Sequence, residues 1–567
     1  MRKNYPVYIV VLLALLVGAF SASFAFAKGQ SQANLSPSAK SATSHVVAMH
    51  TVNMQKVPAA SSKSLSQKST LLPFLTGVSP AVYAQRKAAA THNKNAPVGT
   101  NPSASSFTPT TTAKFQGMAD SASICPFFGG CQPPDQALAA SPNWVFQGVN
   151  TSFAVYNTTG GLQSGWPKNA QNFFGVPNPG SCDSHGPFLS DPRAFYDPKD
   201  GHFWAAELQV EGAFGLNSCP EKTLYWIAVS QTNNPNGTWN VYAFNMAINV
   251  SGSCATCAAD YTQFGFDQKA IYFTGNMFNK AGNAYDYAET FAALKSTMEA
   301  GSAVTAFGFF KFQANGVLLD TVQPVENETS TTPGVGLLIN SFNINGDGTH
   351  NCSSSACSGL VVWAIANPGK STTTATGAFA ASRSYISPPQ ADQPGSPASI
   401  ETLDTRISGT PVFQKGLISF ALETGLNNGT HVVPAIFWGQ VKPTISGGSI
   451  TAATVTQSNY LFFTGDEAAS FGAVMATKSG NLLIVFDTMS STLNPSIMYA
   501  TRLTTDPAGT FEAPKFLKKG LASTADSRWG DYEATSYDGT LTNNTWFAAQ
   551  YSAANHDWST FIGKVHF

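Results

Sequence analysis

The sequence predicts an all-β fold built from many short strands, and three observations favour it. Of the 567 residues, 12% are aromatic, and aromatic and β-branched runs recur along most of the chain. The 48 Gly and 33 Pro residues interrupt these runs and leave little room for long helices. Only 11% of the residues are charged, against about 25% in typical globular domains, which is a balance typical of secreted proteins.

The first 27 residues have the pattern of a secretory signal peptide. Arg2 and Lys3 precede an apolar stretch from Val7 to Phe20, and Ala25-Phe26-Ala27 forms a small-residue cleavage site. Cleavage there would leave Lys28 as the first residue. The alternative is an uncleaved membrane anchor, because the apolar stretch is nearly long enough to span a bilayer. We therefore expect a secreted or extracellular protein, associated with the cell surface if the anchor is retained.

Residues 28–115 are rich in Ser, Thr, Ala and Pro, and they include nine basic residues and no acidic one. Their few apolar residues show no sustained period, so this segment is predicted to be a flexible, disordered arm. Two roles for the arm stay open. It is either a solvated spacer or pro-segment, or a tether that contacts an anionic cell-surface polymer electrostatically.

The net charge argues against nucleic-acid binding. The whole chain has a formal net charge of -1, and residues 116–567 carry 20 basic against 32 acidic side chains, hence -12. A nucleic-acid-binding protein is expected to present a broad basic field instead. We therefore expect an extracellular glycan or protein as the partner, and a monomer.

All eight cysteines lie beyond the predicted signal peptide, and an even number in an exported chain favours disulfide bonds. Eight cysteines allow 105 pairings. Nearest-neighbour pairing would join Cys125 to Cys131, Cys182 to Cys219, Cys254 to Cys257 and Cys352 to Cys357. The Cys254-Ala-Thr-Cys257 motif lies in a small-residue loop rather than at the start of a helix, which argues against a redox role.

Blocks of strand-like runs repeat along residues 116–567, at a spacing of roughly sixty residues. Isolated four-stranded sheets cannot bury both faces, whereas sheets arranged radially cover one another. We therefore predict a single β-propeller, most simply with seven blades, six or eight being alternatives, and a two-sheet sandwich as the competing fold. The last run, Trp558 to Phe567, is expected to close the ring against residues 144–157. The predicted blocks start near Asp135, Asp191, Asp260, Gln323, Asp404, Thr464 and Arg528.

Several of these segments resemble a class of secreted bacterial β-propellers with a sialidase-like architecture. The most specific element is Arg528-Trp-Gly-Asp531-Tyr532, which is accompanied by Asp191-Pro-Arg193, Asp404-Thr-Arg406 and Ser479-Gly-Asn481. The resemblance covers about residues 116–567. It implies export and a propeller shape, and it implies no particular activity.

Three of the seven arginines, Arg193, Arg406 and Arg528, stand at block starts near an aspartate. In a propeller, the starts of the innermost strands converge on one mouth, where three guanidinium groups could clamp a carboxylate. Sialidases combine such a triad with a tyrosine nucleophile and acidic partners. Tyr532 and Glu533 would supply the nucleophile and base here, and Asp191 the acid.

Two other interpretations of these residues compete with a sialidase-like site. Adjacent strand residues point to opposite faces, so Tyr532 and Glu533 cannot both face the mouth unless a bulge intervenes. Asp531 and Glu533 could both face it, and they would form a carboxylate pair like that of other glycoside hydrolases. Alternatively, each arginine pairs with an aspartate and holds the ring together, with Trp529 packed between blades. In that case, each arginine would be occupied by an ion pair. If the three guanidinium groups instead converge on open space, catalysis would be favoured.

The only metal-binding signal is an oxygen-rich stretch, in which Asn343, Asn345 and Asp347 alternate as in the first half of a calcium loop. Ser354 stands where the closing Glu would lie, so Asn-Gly-Asp-Gly also fits a hairpin turn. No other cofactor is expected. Zincin, serine-hydrolase and phosphate-loop motifs are absent from the sequence.

These observations predict an extracellular binding or scaffold propeller for glycan or protein. The alternative is a glycoside hydrolase of sialidase type, or a lyase, with its site at the propeller mouth. A calcium-dependent adhesin is a third hypothesis. Whether the protein is an enzyme stays open at this point.

Overall fold

The computed structural model describes residues 35–41, 45–61, 70–71, 75–99, 109–125, 130–183, 186–247, 254, 256–329, 334–343, 352, 355–395, 399–525, 527–540 and 542–567. The predicted signal peptide lies outside these residues. Within them, no helix has both the length and the hydrophobicity needed to cross a membrane.

The N-terminal part of the described chain contains short strands and one helix. Its elements are β1 (Pro37–Ser41), β2 (His45–Val47), β3 (Met49–Asn53), β4 (Thr70–Leu71), α1 (Pro80–Ala90), β5 (Thr110–Ala119) and β6 (Cys131–Gln132).

Seven antiparallel sheets follow in chain order within the described residues. Sheet 1 contains β7 (Ala137–Ala140), β8 (Trp144–Val149), β9 (Ser152–Asn157) and β10 (Lys168–Asn169), followed by α2 (Ala170–Phe174). Sheet 2 contains β11 (Leu189–Asp197), β12 (His202–Glu211), β13 (Lys222–Ser230) and β14 (Thr238–Asn245). Sheet 3 contains β15 (Ala258–Phe266), β16 (Ala270–Phe278), β17 (Tyr285–Leu294) and, after α3 (Lys295–Glu299), β18 (Val304–Ala314), which also pairs with β19 (Val317–Leu318).

The remaining four sheets repeat this arrangement. Sheet 4 contains β20 (Gln323–Pro324), β21 (Val335–Ser341), β22 (Cys357–Ala366) and β23 (Thr374–Tyr385). Sheet 5 contains β24 (Val412–Gln414), β25 (Leu417–Asn427), β26 (Val432–Ser446) and β27 (Ser449–Leu461). Sheet 6 contains β28 (Ala468–Ala476), β29 (Leu482–Ser490), β30 (Leu493–Arg502) and β31 (Lys515–Lys518). Sheet 7 contains β32 (Ala534–Tyr537), β33 (Asn544–Ser552) and β34 (Trp558–His566), with β5 as its fourth strand.

The first strands of successive sheets contact one another around a common axis. β7 contacts β11, β11 contacts β15, β15 contacts β20, β24 contacts β28, β28 contacts β32, and β32 returns to β7. Sheets 4 and 5 are joined by a hydrogen bond from the Glu326 amide to the Pro411 carbonyl at 2.8 Å. The prediction of an all-β propeller is confirmed, and the predicted block starts fall within eight residues of the observed first strands.

The predicted partner of the last strand is wrong. β34 pairs antiparallel with β5, from Ser559 opposite Ala119 to His566 opposite Thr110. Residues 144–157 are already committed to β8 and β9, which form the middle of sheet 1, so they have no free edge to offer. The propeller therefore begins by Thr110, and a domain boundary between residues 115 and 116 would divide β5.

The prediction of a flexible arm is also wrong for much of residues 35–99. β3 pairs with β14 at the edge of sheet 2, and β1 and β2 pair with β18 at the edge of sheet 3. These runs are too short to show a period in sequence, but the existing sheet edge supplies their hydrogen-bond partners and is itself covered by them. Lys87, counted among the basic charges of the arm, is buried against Glu401.

Large aromatic side chains fill the spaces between sheets. Trp239 follows a Pro/Gly turn and lies 5.0 Å from Phe173 and 5.6 Å from Phe146, between ring centroids. Phe511 follows a similar turn and lies 4.5 Å from Trp438. Both turns thus position a ring between neighbouring sheets, as predicted from their sequence similarity.

The four nearest-neighbour disulfides predicted from the sequence are all present, joining Cys125 to Cys131, Cys182 to Cys219, Cys254 to Cys257 and Cys352 to Cys357. The Cys254–Cys257 motif is therefore a structural loop closure. Four disulfides are consistent with an extracellular, oxidising environment.

Candidate functional site

The candidate site lies on the axis, at the face where the first strands begin, which we call the mouth. Several residues at these strand starts adopt a left-handed backbone, including Asp135 at φ 40°, Asp191 at φ 62° and Tyr261 at φ 53°. In β11 and β15, these positions coincide with register shifts against the second strand. A bulge of this kind turns a side chain away from the regular alternation. The mouth is therefore lined by side chains that a regular strand would point elsewhere.

Two of the three predicted arginines are paired with aspartates of their own segments. Arg406 donates from Nε to Asp404 Oδ1 at 2.8 Å and from Nη2 to Asp404 Oδ2 at 2.7 Å, and both side chains are buried. Arg528 donates from Nη1 to Asp531 Oδ1. Arg193 instead contacts Thr410 Oγ1 at 3.4 Å and the Ser408 carbonyl at 3.5 Å. The arginines therefore do not form an open carboxylate clamp.

Two tyrosines stack with two of these arginines along the axis. The Arg193 guanidinium carbon lies 3.3 Å from the Tyr532 ring centroid, and that of Arg406 lies 4.3 Å from the Tyr261 ring. The two tyrosine rings meet edge to face at 5.9 Å. Burial raises the pKa of Tyr532 well above its ordinary value, although Arg193 opposes this shift. Its hydroxyl donates to the Pro192 carbonyl at 3.2 Å, so Tyr532 is not arranged as an activated nucleophile.

Glu533 faces a different environment from Tyr532 and Asp531. Its Oε2 accepts a hydrogen bond from Gln136 Nε2 at 2.6 Å. Burial, and then the nearby Asp487 carboxylate, raise the pKa of Glu533 well above its usual range. Among the described contacts, no hydrogen bond joins Glu533 to Tyr532 or to Asp531, although Glu533 and Arg193 line one small cavity. Trp529 is buried, and its indole donates to Asp487 Oδ2 at 2.6 Å, which joins sheets 6 and 7 as predicted.

The structure brings together an aspartate cluster that the sequence only partly indicated. Asp191 and Asp531 line a small cavity at the mouth together with Asp135, Asp260 and Arg528. Asp135 and Asp260 were recognisable as block starts, equivalent to Asp191, and this equivalence was the available signal. We call these four carboxyl groups the aspartate cluster. The rest of the cavity wall consists of Asn150, Ser190 and the apolar side chains of Phe188, Leu208, Val210 and Phe214.

Carboxyl groups of the aspartate cluster have raised pKa values. Burial, followed by the charges of Asp260 and Asp531, raises the pKa of Asp191 to about 8. Burial and the charge of Asp531 raise the pKa of Asp260 to about 7. Asp531, by contrast, is ion-paired with Arg528. The cavity therefore combines Asp191, whose pKa is raised, with Asp531, which is ion-paired to Arg528, and such a pair of unlike carboxyl groups suits proton donation and acceptance.

A segment of the predicted arm, residues 75–99, contacts the chain segment that precedes β24, and we call it the strap. The Tyr83 hydroxyl donates to Glu401 Oε1 at 3.0 Å. Lys87 Nζ contacts Glu401 Oε1 at 2.8 Å, Thr402 Oγ1 at 3.0 Å and the Leu403 carbonyl at 2.6 Å. These partners directly precede the Asp404–Arg406 pair. No signal in the sequence pointed to this contact.

The predicted calcium site is only partly described. Asn343 is buried, and Asn345 and Asp347 lie outside the described residues. Among the described residues, the one acidic group without cysteines that is close enough to share a metal is Asp197, Asp200 and Glu299. Lys295 Nζ forms an ion pair with Asp197 and lies 3.2 Å from Asp200 Oδ2. The lysine ammonium group therefore supplies the positive charge that a metal ion would otherwise provide.

No family model matches the chain, and no curated protein matches it. Solved structures with similar folds include an α-L-arabinanase from Penicillium chrysogenum complexed with arabinobiose, at 9% identity and TM-score 0.37, covering 80% of this chain and 98% of that one. An ulvan lyase of polysaccharide lyase family 25 has 12% identity and TM-score 0.37, covering 77% and 92% of the respective chains. A Hadza microbial sialidase has 9% identity and TM-score 0.32, covering 74% and 73%. These neighbours are β-propellers, and the arrangement of the seven sheets places this chain in the same fold class.

Proposed function

We propose that the protein is an extracellular propeller that binds a glycan at the mouth. The supporting observation is the composition of the small cavity there, which is lined by the aspartate cluster, Asn150 and Arg528 together with the aromatic side chains of Phe188 and Phe214. Sugars present hydroxyl groups at their edges and carbon-bound hydrogens on their faces. A surface that combines hydrogen-bonding groups with aromatic rings offers contacts to both.

Binding is tested with the chain that begins at Lys28. Phe214 forms part of the cavity wall and is only partly buried, so Phe214→Ala leaves the sheets intact. On a glycan array, this variant should bind at least about tenfold more weakly, since burying a Phe side chain contributes about 1.5–3 kcal/mol. Phe516→Ala, on the outer strand β31 and 39% exposed, is the matched control. Absence of glycan binding by the wild-type chain would refute the proposal.

A second candidate function is glycoside hydrolysis at the same cavity, and the raised pKa of Asp191 beside the ion-paired Asp531 favours it. Glycoside hydrolases use one carboxyl group as a proton donor to the leaving oxygen and a second as base or nucleophile. Asp191 would be the donor, and Asp531 the second carboxylate. The tyrosine-based sialidase mechanism is less favoured, because the Tyr532 hydroxyl donates to the Pro192 carbonyl and Glu533 accepts a hydrogen bond from Gln136.

Hydrolysis is distinguished from binding with Asp191→Asn. The amide replaces the protonated carboxyl group in shape but cannot transfer a proton, so turnover of fluorogenic glycosides should fall by about 100-fold or more, while glycan affinity persists. Asp392→Asn, at an exposed carboxylate remote from the aspartate cluster, is the control. Equal turnover by the wild-type and Asp191→Asn chains would exclude Asp191 as the proton donor.

The predicted calcium-dependent adhesin depends on Asn343, Asn345 and Asp347, and no described contact supports it. It remains a hypothesis with a direct test. If calcium is bound there, adding a chelator should lower the melting temperature of the protein, and restoring calcium should reverse the change.

A further inference from the structure

A second cavity lies at the face opposite the mouth, where the first strands of the sheets end. Its volume is about 320 Å³, which falls in the range of sites for small molecules. Asp197 and Phe266 are the last residues of β11 and β15, and Thr540 follows β32. Glu328 follows β20, the first strand of sheet 4. Four sheets therefore contribute to one cavity, which we call the distal cavity.

The main chain around Glu328 is held by the end of sheet 3. Glu326 forms a β-bridge to Phe266, and the Asn327 amide donates to the Phe266 carbonyl at 2.9 Å. Gln268 Nε2 donates to the Glu328 carbonyl at 3.1 Å. The position of Glu328 in the cavity wall is therefore fixed by its backbone rather than by its carboxyl group.

The Glu328 carboxyl group lacks a partner. The residue is 7% exposed, and neither carboxyl oxygen has a hydrogen-bond partner in the described part of the chain. Other polar side chains of the wall are already engaged. Lys199 Nζ donates to the Gln268 carbonyl at 3.2 Å, and Thr540 Oγ1 donates to Asp538 Oδ1 at 2.7 Å. Because a buried polar group without hydrogen bonds is costly, Glu328 has the most to gain from a ligand.

The charges around the distal cavity favour a positively charged ligand. Lys295 forms an ion pair with Asp197 and lies 3.2 Å from Asp200 Oδ2, so this ammonium group is shared between two carboxylates. Burial lowers the pKa of Lys295 to about 8, and the charges of Glu299 and Glu328 oppose this shift. Four carboxyl groups therefore act on one buried ammonium group, and a second cation would improve the balance.

The chemistry of the wall fits an organic cation better than a metal ion. Glu328 belongs to no cluster of described residues close enough to hold a metal. A carboxylate binds an ammonium group through short, charge-assisted hydrogen bonds. Burial, and then the charge of Glu326, raise the pKa of Glu328 well above its usual range. An arriving ammonium group would therefore displace a proton from this carboxyl group to the solvent.

We propose that the distal cavity is a second ligand site, which binds a small organic molecule through a primary ammonium group at the Glu328 carboxylate. The rings of Phe266 and Pro198 belong to the same wall and offer apolar contacts to the carbon atoms next to the ammonium group. The distal cavity and the aspartate cluster lie at opposite faces of the propeller. Binding in the distal cavity is therefore independent of the proposed glycan binding.

The test uses n-butylammonium as the probe. It is titrated into the chain that begins at Lys28, and binding is followed by ligand-detected nuclear magnetic resonance. n-Butanol, which has the same carbon chain and no charge, should bind at least about tenfold more weakly. Glu328→Gln retains the shape of the side chain without its charge and should weaken n-butylammonium binding at least about tenfold. Glu221→Gln, at a partly exposed carboxylate paired with Lys280, is the matched control and should bind like the wild type.

Two further variants locate the bound probe. Lys199→Met removes a positive charge from the cavity wall and should strengthen binding about two- to fivefold. Asp191→Asn, in the aspartate cluster, should leave the affinity unchanged. If Glu328→Gln does not fold, an affinity that Lys199→Met leaves unchanged would overturn the inference.

Three other results would also overturn it. The first is that the wild-type chain does not bind n-butylammonium. The second is that Asp191→Asn loses binding while Glu328→Gln retains it, which would place the probe at the mouth. The third is that calcium chloride binds instead of n-butylammonium and that Glu328→Gln abolishes this binding, because the cavity would then be a metal site.

Discussion

The buried pair of Arg406 and Asp404 permits a quantitative test of what the arginines do. Two hydrogen bonds of 2.8 and 2.7 Å join them, the arginine is 2% exposed and the aspartate 3%. Arg406→Met retains most of the side-chain volume but leaves the aspartate charge buried without its cation. Removing one partner of a buried ion pair costs about 3–5 kcal/mol, and loss of the contact with the Tyr261 ring adds to this cost. We therefore expect a loss of at least about 3 kcal/mol in the free energy of unfolding.

The free energy of unfolding is measured by urea titration, followed by tryptophan fluorescence and circular dichroism. Arg383→Met is the matched control, because that guanidinium is exposed and should change stability by less than about 1 kcal/mol. The double variant Arg406→Met with Asp404→Leu should recover part of the loss, since an apolar pair can replace a buried ion pair. A single variant that unfolds at the wild-type urea concentration would refute the structural role of this pair. Loss of ligand binding without loss of stability would instead place Arg406 in the binding site.

Three further predictions concern other parts of the molecule. Folding raises the pKa of Asp191 from its ordinary value of 3.8 to about 8, so its contribution to stability is present at low pH and is lost as the pH rises through about 8. The free energy of unfolding should therefore fall between pH 5 and 8. Asp191→Asn should make this fall smaller when urea titrations are repeated at each pH. Replacing both Cys182 and Cys219 by Ser opens a loop of 37 residues and should lower the free energy of unfolding by about 2–4 kcal/mol in urea titrations, and an unchanged free energy of unfolding would contradict a stabilising role of this disulfide. Trp438→Ala removes a buried ring that packs against Phe511 and should cost about 3–5 kcal/mol by calorimetry, whereas a cost below 1 kcal/mol would contradict its role between sheets 5 and 6.

The repeat and its turns were predictable because every sheet has the same local requirements. Every block needs a first strand near the axis and tight turns between neighbouring strands, and both leave marks in the sequence. The turns before Trp239 and Phe511 therefore identified inter-sheet positions correctly. The disulfides were predictable for a related reason, since cysteines separated by few residues close loops at small entropic cost.

The N-terminal region could not be predicted because its strands form only by pairing with sheets of the propeller. β1, β2 and β3 have three to five residues each, too few to show an alternating pattern, and they form only where β14 and β18 offer hydrogen-bond partners. β5 was missed for a different reason. Its pattern of partly buried and exposed residues is that of an edge strand, which composition alone did not separate from a polar linker.

The site was predictable in its location and only partly in its members. Asp191, Asp531 and Arg528 do share one cavity, as their equivalent positions at strand starts implied. The open triad failed because Arg406 and Arg528 each have a carboxylate two or three residues away, and a local partner is easily reached. Tyr261 was missed because its orientation depends on its left-handed backbone, and no glycine or asparagine at that position indicates such a conformation in the sequence.

The pairing of β5 with β34 has a consequence for how the molecule is made. Sheet 7 joins Thr110 to His566, so its hydrogen bonds cannot form until the residues up to His566 have left the ribosome. Until then, the first and last sheets both present uncovered edges, the state most prone to association with other chains. Completion of the circle thus follows the synthesis of all seven sheets, and deletion of β34 would leave the edge of β5 without its partner.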